Sequence, residues 1–192
     1  MDFKNIKFYI GPVSKNIVDT IIEYCNNKGT YIGLIPSRRQ IDYNSSYVGW
    51  NTKEFVDYVR NKTKNAIIER DHSGIGQGLI FDTGTLSQHY DAKNNFDIIH
   101  IDPWKEYNKY EDGLYDTIEN IKYIHNINPN CLYEVGTEES IRKFEVEEFE
   151  KFLTDLKNEL GDLFNNIKYA VIQSGTKLKG VDNIGNFNID RL

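Results

Sequence analysis

Cysteine is scarce in this chain: 192 residues contain only Cys25 and Cys131. Two thiols make no disulfide framework, which fits a reducing compartment. Cys25 falls in a helical pattern and Cys131 starts an apolar strand, places that usually hold inert, buried thiols. Long apolar runs are also missing. Nothing approaches the roughly 18 apolar residues of a membrane span, and the N-terminal twelve residues have no apolar run long enough for a secretory signal. The chain therefore reads as soluble and cytoplasmic, with no membrane partner. A basic excess is lacking too. The formal net charge is −6, and Lys and Arg gather in no tail. A nucleic-acid partner, which needs a basic patch, is not expected.

What is present is an alternation of short apolar runs with amphipathic stretches. Strands are expected at residues 7–10, 31–35, 65–69, 96–102, 131–136 and 167–175. Helices are expected between them. The first is capped by Ser14 and stopped by Gly29, and the second is capped by Thr52 and runs over 53–62. Helices also fit 113–127 and 146–164, and the connection after residue 78 has room for a weakly patterned one. The tail, 176–192, shows no strong periodicity.

Near-continuous apolar strands alternating with helices imply an α/β fold with a parallel sheet covered by helices. A doubly wound open sheet and a (β/α)8 TIM barrel both meet that pattern. The expectation is a single barrel-type domain over residues 1–192. A whole barrel takes about 250 residues, so with about six βα units this one lacks the last strands.

In either architecture function sits beyond the C-terminal strand ends. Those ends are polar here: Ser37, Arg38, Arg39 and Gln40; Glu69, Arg70, Asp71 and His72; His100 and Asp102; Glu134, Gly136, Thr137 and Glu138; Gln173, Ser174, Gly175 and Thr176. Side chains two apart share a strand face. Glu69 thus goes with Asp71, and His100 with Asp102. In a barrel, several carboxylates and two histidines would meet in one cavity. That suits acid–base chemistry on a polar substrate, or a divalent metal held by His and carboxylate. Asp71, His100, Asp102 and Glu134 are the catalytic candidates, and His72 with Glu134 the metal candidates.

Each has a plainer alternative. His72 could be a turn residue, His100 a satisfied core histidine, and Asp102 before Pro103 a turn start. Glu134 interrupts an apolar strand, where an unpaired buried carboxylate is costly. Arg38, Arg39 and Arg70 could bind an anionic group, with Gln173, Ser174, Gly175 and Thr176 as a small-residue cradle. Arg38 and Arg39 could equally be a solvated pair. The glycine-rich residues 73–78 could offer backbone N–H groups to a phosphate, but they do not match the dinucleotide fingerprint. His89 and His125 read as surface residues.

The segments 67–78 (IIERDHSGIGQG), 96–104 (FDIIHIDPW), 132–144 (LYEVGTEESIRKF) and 169–180 (YAVIQSGTKLKG), in that order, resemble the class II D-tagatose-bisphosphate aldolase non-catalytic subunit family. Its members are (β/α)8 barrels. The matching positions are the pair Asp71-His72, then His100-Ile101-Asp102, then Val135-Gly136-Thr137-Glu138. The likeness reaches toward catalytic class II aldolases, in which an Asp-His pair supplies a proton-transfer carboxylate and a zinc ligand. Those enzymes take their other histidines from later strands, and the sixth strand here offers Gln173 instead. The resemblance implies a sugar-phosphate ligand and a divalent metal, zinc or magnesium. It leaves open an aldolase-type lyase or isomerase, a non-catalytic subunit that stabilises a partner class II aldolase, a homo-oligomer, and an inactive barrel fragment.

Overall fold

Six strands pair in chain order, all parallel, which decides between the two architectures. A doubly wound sheet reverses strand order at a switch point, and this one does not. A computed structural model describes residue 6 and residues 8–137, 144–172, 178–179 and 182–183. The strands are β1 (Tyr9–Ile10), β2 (Ile32–Leu34), β3 (Ala66–Ser73), β4 (Ile98–Ile101), β5 (Leu132–Gly136) and β6 (Ile167–Val171). The helices are α1 (Lys15–Lys28), α2 (Thr52–Lys62), α3 (Thr85–Lys93), α4 (Tyr110–Ile127) and α5 (Val146–Leu160). A 3₁₀ turn, Gly161–Asn166, follows α5, and β7 (Leu178–Lys179) pairs antiparallel with β8 (Asp182–Asn183). The six-stranded sheet curls into an unclosed half-barrel flanked by helices, an incomplete (β/α)8 barrel.

Local chemistry sets the helix ends. Ser14 caps α1 by accepting from the Ile17 N–H, and Gly29 closes it at φ 60°. Asn51, not Thr52, caps α2. Its side chain accepts from Glu54 N–H while Glu54 reaches back to the Asn51 N–H, which satisfies two orphan donors at once. Thr52 is instead buried in the first turn, with its hydroxyl 3.4 Å from Asp91. Gly161 at φ 55° ends α5 earlier than its amphipathic pattern suggested.

The main core lies between sheet and helices. Leu34, Ile68, Ile99, Ile101, Tyr133 and Val135 face it from the strands. Fully burying one such side chain is worth about 1.5–3 kcal/mol. The other sheet face lines the barrel interior. Its rows follow from the register: Tyr9, Gly33 and Ile67 in one, and His100, Glu134 and Tyr169 in another. Tyr9 needs Gly33, because a Cβ there would sit 2.0 Å from the Tyr9 ring. The Tyr9 and Tyr169 hydroxyls meet at 3.1 Å, joining the two edge strands through side chains rather than backbone. Both cysteines are buried and unbonded to each other, and burial pushes both thiols up. Among the described residues no helix is long and apolar enough to cross a membrane.

Candidate functional site

The site begins with one extra residue in β3. Arg70 pairs with Ile99 and Ser73 with Ile101, so three steps of β3 match two of β4. Arg70 and Ser73 thus both share the helix-side direction of their partners. The two residues between them, Asp71 and His72, both turn to the mouth. Strict alternation would have sent His72 outward. His72 takes φ 43°, a left-handed conformation uncommon outside glycine. Bulges commonly re-aim a side chain in this way.

His72 then packs its ring 4.8 Å from that of His100. Its Nε2 lies 3.5 Å from Asp71 Oδ1, and its Nδ1 lies 3.5 Å from Asp102 Oδ2. Asp71, His72 and His100 each offer a ligand atom, all within 4.8 Å of one another. His100 is 2% exposed, and its Nε2 has no hydrogen-bond partner among the described residues. A buried, unsatisfied imidazole nitrogen is costly unless something binds it. Two imidazoles and a carboxylate suit zinc or another divalent ion. The residues present therefore fit a metal. Gly136 makes room for His100: a Cβ there would come within 2.5 Å of Nε2. Asp102 is fully buried and accepts from the Trp104 N–H at 3.4 Å.

Beside this cluster, Glu69 of β3 and Glu134 of β5 meet on the interior face. Glu134 stands directly beside His100 in the β4–β5 register. Burial, and then a hydrogen bond and repulsion from Glu134, hold Glu69 protonated far above the usual carboxylate range. The pair borders a cavity of ≈ 470 Å³ with Tyr9, Ile35 and Tyr169. Burial and the Tyr169 contact likewise push the Tyr9 phenol up.

The three arginines separate. Arg70 is fully buried. Its Nε and Nη2 fork onto Asp91 of α3 at 2.7 and 2.8 Å, and its Nη1 donates to the Pro36 and Ile41 carbonyls at 2.9 and 2.7 Å. Arg38 is also buried, bonded to Asp42, Asp82 and the Gly74 carbonyl. Arg39 is exposed. The segment 73–78 lies over Arg38 and not over an open cradle. Gln173, Ser174, Gly175, Thr176 and Glu138 fall outside the described residues. His89 and His125 are half-buried, with His89 Nδ1 3.2 Å from the Tyr123 hydroxyl. Sequence reasoning missed Tyr9, Asp42, Asp82 and Asp91. Gly33, a glycine inside an apolar strand, was the one local signal of a bulky side chain crossing from a neighbour.

No family model matches the chain, and no curated protein does. Solved structures do match. A probable tagatose 6 phosphate kinase from Sinorhizobium meliloti is similar at TM-score 0.71 and 12% identity, over 93% of this chain and 51% of its own. A fructose-bisphosphate aldolase from Campylobacter jejuni is similar at TM-score 0.63 and 12% identity, over 94% of this chain and 55% of its own. This chain spans about half the length of both. At such identity the likeness establishes the fold: a distant, partial match to TIM-barrel proteins bearing aldolase and sugar-phosphate kinase names.

Proposed function

We propose that this chain binds a divalent cation and a phosphorylated sugar at the mouth of the half-barrel and performs aldolase-type carbonyl chemistry there, as a lyase or isomerase. The observation that carries the reading is the convergence of Asp71, His72 and His100 within 4.8 Å. The names of the two similar structures support a sugar phosphate as the ligand class. Asp71, His72 and His100 would hold zinc or magnesium, which when bound polarises a carbonyl oxygen. Asp102, 3.5 Å from His72 Nδ1, orients that imidazole and fixes its tautomer. Glu134, beside His100, is the carboxylate nearest in register for moving a proton or adding a ligand. Arg39 and the Gln173–Thr176 segment are offered as groups for the phosphate. Arg70 acts as scaffolding, since its donors end on protein acceptors.

A second reading, a non-catalytic subunit supporting a partner class II aldolase, is favoured by one observation. Among the described residues the sheet is unclosed and leaves β1 and β6 as open edges. Calorimetric titration of zinc and magnesium into the metal-free protein tests the first reading. One ion per chain is expected, with affinity reduced about tenfold or more by His100→Ala. No bound ion, or no change on that substitution, would sink the metal site. A turnover assay on sugar phosphates, run with and without metal and with a class II aldolase added, separates the two readings. Turnover by the chain alone favours the first. Turnover gained only by the added aldolase favours the second.

A further inference from the structure

We propose that Arg38 is the receptor of an oxyanion site whose resident occupant is Asp82, and that a phosphate-bearing ligand binds by taking the place of Asp82. This rests on the reading above that the ligand carries phosphate. Arg38 follows β2 at the mouth, one residue after Ser37, which bridges to Asp71. Its guanidinium holds the Asp82 carboxylate in a fork, Nη1 to Oδ1 at 2.8 Å and Nη2 to Oδ2 at 2.7 Å. A guanidinium offers that same fork to a phosphate.

Receptor and occupant differ in how firmly they are held. The Arg38 side chain is 1% exposed, and Asp42 and the Gly74 carbonyl fix it at 3.0 and 3.2 Å. Asp82 is 36% exposed and sits on the loop between β3 and α3, where its Oδ1 also accepts from the Gly84 N–H at 2.8 Å and its carbonyl accepts from the Gly76 N–H at 2.9 Å. The neighbours Leu79, Ile80 and Phe81 on that loop are 67%, 77% and 68% exposed, so little packing holds it down. Gly78 lets the loop lie flat on the guanidinium, since a Cβ there would be 2.9 Å from Arg38 Nη2.

There is also room. A cavity of ≈ 330 Å³ borders Arg38 and Asp82, with Asn44, Ser45 and Ser46 on its wall. Arg38 already faces two carboxylates, Asp42 and Asp82. A third anion would add repulsion in a partly buried place, whereas exchange for Asp82 keeps the balance. Binding would therefore loosen the loop, which would keep the Gly76 N–H bond to the Asp82 carbonyl but lose its side-chain tie to Arg38.

The probe is inorganic phosphate, titrated by calorimetry into metal-free protein. Asp82→Ala is expected to bind about tenfold more tightly than the wild type, because the internal competitor is gone. Arg38→Met is expected to lose the binding. Circular dichroism checks that both variants fold, and Asp82→Asn serves if the alanine variant does not. A second measurement needs no variant: chymotryptic cleavage after Phe81 of the wild type should accelerate as phosphate saturates. Phosphate binding by the Asp82 variant no tighter than wild type overturns the proposal, as does cleavage that phosphate leaves unchanged or slows. Zinc titration of the same protein keeps the two ideas apart, since loss of the metal site leaves this exchange standing and the reverse also holds.

Discussion

Replacing Glu69 by glutamine isolates the effect of one buried proton. Glu69 is 1% exposed. Burial first, then the hydrogen bond to Glu134 and the charges of Glu134 and Asp71, raise its carboxyl from 4.5 to about 11. Across that window the folded protein keeps a proton that the unfolded chain has released. The folded state is therefore favoured in full below about pH 4.5, and stability falls as pH rises toward about 11. Each bound proton contributes a slope of about 1.4 kcal/mol per pH unit. From about pH 6 to pH 8 the wild type should lose roughly 3 kcal/mol relative to Glu69→Gln. The glutamine amide still donates to Glu134 but has no proton to retain. Urea unfolding at several pH values, with EDTA present, gives both curves, and the buried Trp50 and Trp104 supply the fluorescence signal. Parallel curves for the two proteins, or a wild type that gains on the variant with rising pH, would refute the argument.

Gly136→Ala pushes a Cβ to 2.5 Å from His100 Nε2. Zinc affinity measured by calorimetry should fall about tenfold, with about 1–3 kcal/mol of stability lost to overpacking. Arg70→Met leaves Asp91 as an uncompensated charge, so denaturant unfolding should show a loss of about 3–5 kcal/mol. The double variant with Asp91→Leu should cost less than the sum of the singles. Gly113→Ala in α4 would gain about 1 kcal/mol of helix propensity. Its Cβ would nevertheless lie 2.3 Å from the Trp104 ring, so the melting temperature should fall.

Periodicity carried most of the fold. The apolar runs found all six parallel strands, and Ser14 and Gly29 bounded α1 correctly. Where apolar spacing is absent, so is the signal. In α3 the buried side includes Ser87, Gln88 and Asp91, polar residues that a pattern search reads as exposed. The helix expected from Gly113 starts three residues earlier, at Tyr110, and Gly113 inside its first turn admits the Trp104 ring. At the site, alternation grouped Glu69 with Asp71 and His100 with Asp102. It could not explain why His72 joins Asp71, since a bulge is a property of two paired strands and not of one sequence. The partners of the arginines were hidden for a related reason. Asp91 lies 21 residues from Arg70 and Asp82 lies 44 residues from Arg38, and nothing local marks them as partners.

The extra residue in β3 also bears on how a strand can offer donors at all. An extended chain normally presents every second side chain to one side, so two ligands from one strand stand well apart. Here consecutive residues, Asp71 and His72, point the same way, as adjacent teeth of one chelating claw. Deleting a single residue at this point would bring the strand back into phase and leave only one of them at the mouth. The spacing between Arg70 and Ser73, more than the identity of either, is what such a site would be least able to lose.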